Sequence, residues 1–154
     1  MIIQGKIPGT IEPVSIVIEG ETIVRIEHYQ EGAQFDFGGR DFYLGPGFFD
    51  PQVNGFAGVD FNGNGLTPEG LHQAARSLAS FGVTRFLPTL ITACHERIIR
   101  QLKIITAVFE NDPFLQRMCP GIHLEGPYIC PDDGPRGVHP REFVRPPRWE
   151  ELRR

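Results

Sequence analysis

The chain has 154 residues, with 15 lysines and arginines against 19 aspartates and glutamates, a formal net charge of −4. At 40% hydrophobic and 22% charged it has the composition of a folded domain, which excludes a disordered chain, and it has no basic excess for non-specific nucleic-acid binding. No apolar run approaches the roughly 18 residues that span a bilayer, the N-terminus lacks a signal-peptide layout, and Cys94, Cys119 and Cys130 form neither a disulfide framework nor a CxxC zinc module.

These features imply a protein of a reducing compartment, read as cytoplasmic, with no nucleic-acid or membrane partner. Its 18 glycines and 14 prolines are not periodic. They cluster at Gly45-Pro46-Gly47, between Gly55 and Gly65, at Gly126-Pro127 and from Pro131 to Pro147. That distribution suits tight loops joining regular elements.

Residues 11–27 read as a hairpin, with Ile16-Val17-Ile18 and Ile23, Val24 and Ile26 on either side of Gly20. Strand-like residues continue to Leu44, so residues 1–45 are expected to form a small β domain. Beyond Gly45-Pro46-Gly47 the pattern changes. Phe48 to Asn54 fits a buried strand ending at Gly55.

Thr67-Pro68-Glu69 opens a helix with an N-cap hydroxyl, a proline at the first position and an acid in the first turn. Leu71, Ala74, Ala75, Leu78 and Phe81 follow at helical spacing, and Gly82 ends it. Val83 to Leu87 is a second strand. Ile98, Leu102, Ile105 and Phe109 mark a second helix, stopped by Asn111-Asp112-Pro113. Gly121 to Glu125 is a third strand, and Pro147 to Leu152 reads as the first turn of another helix.

Strands starting near 48, 83 and 121, alternating with helices, predict a parallel α/β arrangement. The expected fold is an incomplete (β/α)8 TIM-type barrel, its first three βα units occupying residues 46–154. A full barrel takes about 250 residues, so the chain is expected to be the N-terminal part of a larger protein.

In such folds the reactive side chains sit at the C-terminal ends of strands. Gln52 and Asn54, two apart, are expected on one face of the first strand. Glu125 ends the third strand and suits a metal ligand or a carboxylate satisfied by a helix terminus or an arginine. His123 is expected to be an interior, hydrogen-bonded histidine. His139, in the loop Arg136-Gly137-Val138-His139-Pro140, is open to substrate contact or to solvent.

His28, His72 and His95 read as surface residues, Cys94 as an N-terminal cap or packing residue. Arg136, Arg141, Arg145 and Arg148 read as a solvated basic loop.

Four segments together resemble a known family. Pro46 to Gly55 looks like the first barrel strand of the N-acetylglucosamine-6-phosphate deacetylases, within the amidohydrolase superfamily, and Phe86 to Thr92 resembles their second strand. His123-Leu124-Glu125-Gly126-Pro127-Tyr128 resembles their metal-carboxylate motif. Gly137-Val138-His139-Pro140, followed by Phe143-Val144-Arg145, resembles their substrate loop.

The resemblance implies a metal-dependent hydrolase acting on a small amino-sugar phosphate, working as a homodimer. Glu125 takes the metal-ligand position. Val138 and His139 match the substrate-binding pair, with His139 polarising the acetyl carbonyl. Gln52 and Asn54 match the Gln-x-Asn form in which a second metal position is left vacant, so one Zn²⁺ per complete subunit is implied. The family's general-base aspartate and two metal-binding histidines have no counterpart in these residues. The alternatives are another amidohydrolase, disfavoured by the absence of His-x-His on strand one, or a non-catalytic remnant acting as an interaction fragment.

Overall fold

The computed structural model describes residues 1–153. The chain divides into two compact units, Met1–Pro46 and Gly47–Arg154. The first is a four-stranded sheet of order β3-β2-β1-β4, built from β1 (Ile2–Lys6), β2 (Pro13–Glu19), β3 (Thr22–His28) and β4 (Phe37–Tyr43).

The hairpin about Gly20 is present, with β2 and β3 antiparallel and Ile16 opposite Ile26. The sequence did not mark β1, which pairs antiparallel with β2 and parallel with β4. The reason lies in its side chains. Its buried positions are Gln4, whose Nε2 donates to Ser15 Oγ at 3.1 Å, and Gly5, so β1 lacks an apolar alternation. The strand-type side chains of Ile23, Val24 and Ile26 are exposed.

The second unit is mixed α/β. Its three-stranded parallel sheet has the order β5-β8-β9, from β5 (Phe48–Val53), β8 (Val83–Ile91) and β9 (His123–Glu125). A two-stranded ribbon of β6 (Gly55–Phe56) and β7 (Val59–Asp60) follows β5. Helix α1 (Pro68–Ser80) precedes β8. Helices α2 (His95–Asn111) and α3 (Pro113–Met118) lead to β9, and α4 (Trp149–Leu152) is a short terminal turn.

Helix α1 starts as its sequence dictates. Thr67 accepts a hydrogen bond from the Gly70 N–H, and Glu69 sits where the helix dipole favours a negative charge. Leu71, Ala74, Ala75 and Leu78 are buried against Phe61, Phe86, Leu90, Ile105 and Leu115, which form the core of this unit. Burying a side chain such as Leu71 or Ile105 contributes about 1.5–3 kcal/mol. Gly82 ends the helix at φ +83°, a conformation that glycine adopts without strain.

Several expectations are corrected. Asn111-Asp112-Pro113 ends α2 but also starts α3, because the Asp112 carboxylate accepts from the N–H groups of Phe114 and Leu115 at 2.9 and 3.2 Å. His72 is not a bare surface residue: its Nδ1 lies 2.5 Å from Asp112 Oδ2, and its ring packs on Phe114. Cys94 occupies the N-cap position of α2, yet its side chain makes no capping hydrogen bond. The third strand is shorter than the run from Gly121, starting at His123.

Candidate active site at the strand ends

Three polar side chains from separate segments meet at the C-terminal edge of the parallel sheet. Glu125 closes β9, in register with Ile91 at the end of β8. Asn54 lies just beyond β5, and its Nδ2 donates to Glu125 Oε2 at 3.4 Å. His139 returns from the loop after β9 to place Nε2 3.6 Å from Glu125 Oε1.

The two amides expected on one face of the first strand have different surroundings. Pairing of β5 slips between Asp50 and Val53, and the Gln52 N–H turns back onto the Asp50 carboxylate at 3.1 Å. The Gln52 side chain is exposed and has no hydrogen bond among the described residues, whereas Asn54 reaches Glu125.

His139 corrects the reading of an open loop residue. It is only 9% exposed, and its Nδ1 lies 2.9 Å from Oγ1 of the buried Thr92. Its carbonyl accepts from Arg136 Nη1 at 2.6 Å, while Arg136 Nη2 donates to Asp133 at 2.5 Å. Val138 beside it is 90% exposed, so the pair presents one sheltered imidazole and one open apolar side chain. His123, expected as an interior histidine, is half-buried, with Nδ1 3.4 Å from Thr89 Oγ1.

The basic loop is likewise more structured than a solvated face. Arg145 Nε donates to both Glu151 oxygens, at 3.1 and 3.0 Å, and its Nη1 donates to the carbonyls of Ala93 and Phe143. Tyr128 Oη completes the set by donating to Glu151 at 2.7 Å. The Arg145 hydrogen bond, helped by that from Tyr128, holds the Glu151 carboxyl below the usual range. Desolvation, then the hydrogen bond to Glu151 and its charge, raises the Tyr128 phenol. Arg141 and Arg148 remain exposed.

Sequence reasoning missed two residues that support the site. Thr92 holds the His139 ring, and Asn62 bonds β8 through Nδ2 to Thr89 O (2.9 Å) and through Oδ1 from Ile91 N–H (2.8 Å).

Zinc takes at least three protein ligands, and among the described residues no group of three or more His, Cys, Asp or Glu side chains could hold one. Glu125 can contribute one ligand; the described residues do not complete a zinc site.

A carboxylate and an imidazole converging where parallel strands end define a class: an α/β protein with its candidate site at the sheet's C-terminal edge. No protein-family model matches the chain. The N-acetylglucosamine-6-phosphate deacetylase of Rattus norvegicus is 35% identical over 133 residues, 84% of this chain and 30% of the relative. That of Caenorhabditis elegans is 36% identical over 135 residues, 83% of this chain and 30% of the relative.

The crystal structure of N-acetylglucosamine-6-phosphate deacetylase from Thermotoga maritima superposes with a TM-score of 0.72 at 29% identity, covering 90% of this chain and 34% of that one. The chain is thus a relative of the N-acetylglucosamine-6-phosphate deacetylases and spans about 30% of the length of the curated relatives it matches.

Proposed function

We propose that this chain is a portion of a hydrolase that removes the acetyl group of N-acetylglucosamine 6-phosphate, giving glucosamine 6-phosphate and acetate. One observation supports the reading: Glu125 and His139 lie 3.6 Å apart where the parallel strands end, in a chain 35% identical to such a deacetylase.

Within this reading the chain's own residues divide the labour. Glu125 is the anionic ligand this stretch offers to a single divalent ion, read as Zn²⁺, whose other donors lie outside the described residues. His139 Nε2 is the donor placed for the acetyl carbonyl, where a preoriented hydrogen bond stabilises charge as it develops. Val138, exposed beside it, is the apolar contact for substrate. Gln52 and Asn54 stand at the vacant second-metal position, and Asn54 instead steadies Glu125.

The fold proposed for the complete enzyme is a (β/α)8 barrel, of which β5, β8 and β9 are the first three strands. Their consecutive parallel order supports this. A cytoplasmic homodimer is part of the same proposal. No helix among the described residues is long and apolar enough to cross a membrane.

The second reading, a non-catalytic stretch, is favoured by the absence of a three-ligand cluster among the described residues. Acetate release decides between them. The intact protein, supplied with zinc, is expected to release acetate and glucosamine 6-phosphate in equal amounts, while residues 1–154 alone release none. An intact protein without turnover overturns the deacetylase reading.

A further inference from the structure

We propose that Thr92 is a positioning residue for His139. Its buried hydroxyl donates to Nδ1 and so fixes the ring with Nε2–H turned toward Glu125. The proposal rests on the reading of His139 as a substrate contact, but the contact itself is independent of any activity.

Thr92 stands just past the end of β8 and is 1% exposed, so its hydroxyl must find partners inside the protein. Two are within reach: His139 Nδ1 at 2.9 Å and the Glu125 carbonyl at 3.5 Å. A threonine hydroxyl has one proton to give, and the shorter, better contact is the imidazole. Across the ring, Nε2 faces a carboxylate oxygen at 3.6 Å, and an ionised carboxylate can only accept. The carboxylate favours a proton on Nε2, and the Thr92 hydroxyl, able to donate as well as accept, completes that tautomer by donating to the Nδ1 lone pair. In that tautomer Nε2–H is the ring's donor to a carbonyl oxygen.

Gly126 makes room for this arrangement. It has φ +120°, and a Cβ built there would lie 2.1 Å from Thr92 Oγ1. The glycine after Glu125 is thus required both by its backbone and by the hydroxyl beside it. Arg136, bonded to the His139 carbonyl, holds the backbone of the same residue, so ring and main chain are fixed from different sides. Orientation errors of this kind slow a reaction without abolishing binding.

The test compares Thr92→Val, which keeps the shape and removes the hydroxyl, with Thr92→Ser, which keeps the hydroxyl. Imidazole ¹⁵N resonances of His139 in the full chain report the contact. Wild type and T92S are expected to show Nε2 protonated and Nδ1 as a hydrogen-bonded acceptor. T92V should move the Nδ1 resonance to that of an unbonded nitrogen, with backbone amides away from the strand ends unchanged.

In the intact protein, T92V is expected to lower kcat for N-acetylglucosamine 6-phosphate roughly tenfold or more with KM within about twofold, and T92S to restore most of it. An unchanged Nδ1 resonance in T92V, or a proton on Nδ1 in wild type, overturns the proposal. So does a T92S variant as impaired as T92V. An Nδ1 contact that responds as expected in a protein that releases no acetate overturns the deacetylase reading and leaves the role of Thr92 in orienting the ring intact.

Discussion

Replacing Asn62 with alanine should unfold the second unit far more readily than a half-buried loop residue would suggest. Pairing between β5 and β8 stops at Val53 opposite Pro88, and beyond that point the Asn62 amide takes the place of a neighbouring strand. It donates to Thr89 O at 2.9 Å and accepts from Ile91 N–H at 2.8 Å. Thr89 is fully buried, so a truncated side chain leaves one donor and one acceptor of β8 without their partners.

Each orphaned group costs about 1–3 kcal/mol, and solvent reaching the outer part of the site offsets some of that, giving a net loss of about 2–4 kcal/mol. With a urea dependence of about 1–3 kcal/mol per molar, the unfolding midpoint should fall by about 1–2 M.

Asn62→Asp is the sharper variant. At neutral pH its second oxygen faces the Thr89 carbonyl, acceptor against acceptor, so the loss should match or exceed that of Asn62→Ala. Protonation supplies a hydroxyl for that carbonyl. The folded state therefore raises this carboxyl's pKa, and the variant should regain stability relative to Asn62→Ala as the pH falls through that raised native value, with the gain complete below the unfolded value near 4. Urea titrations followed by circular dichroism would measure both. An Asn62→Ala stability within about 0.5 kcal/mol of wild type, or no regain of stability in acid for Asn62→Asp, would refute the strand-replacement argument.

Three further outcomes are expected. His139→Asn should lower kcat/KM for acetate release by the intact protein by roughly tenfold or more, the loss of one donor to the transition state; steady-state kinetics with the sugar phosphate check it. Residues 1–154 alone should yield zinc readily to a competing chelator, because Glu125 and its neighbours make no three-ligand set; a chromogenic chelator titration measures this. Asp112, held below the usual carboxylate range first by the His72 hydrogen bond, gives stability that is present above the unfolded value near 4 and lost as pH falls through its lower native value. Urea midpoints should therefore fall in acid for wild type and fall less for Asp112→Asn.

The sequence alone determined what local chemistry controls. Thr67-Pro68-Glu69 and Gly82 bracket α1 because capping, proline placement and a left-handed terminus are satisfied within a few residues. The alternation of β5, α1, β8, α2 and β9 followed from periodicity, though not β6, β7 or α3, and Glu125 stood out as a carboxylate at a strand end before Gly-Pro. Tertiary structure decided everything that depends on residues far apart in the chain.

His139 could not be read as buried, because Thr92, 47 residues earlier, supplies its shelter. Arg145 looked like a solvated charge until Glu151, Tyr128 and the Ala93 carbonyl enclosed it. Asp112 stopped one helix by a local rule, yet its bond to His72 needed α1 folded back beside it. Asn62 acts as a strand only because β5 ends where it does. Hydrogen bonds within a turn are written in adjacent residues, whereas a buried polar contact is set by whichever distant group the packed chain brings within 3 Å of it.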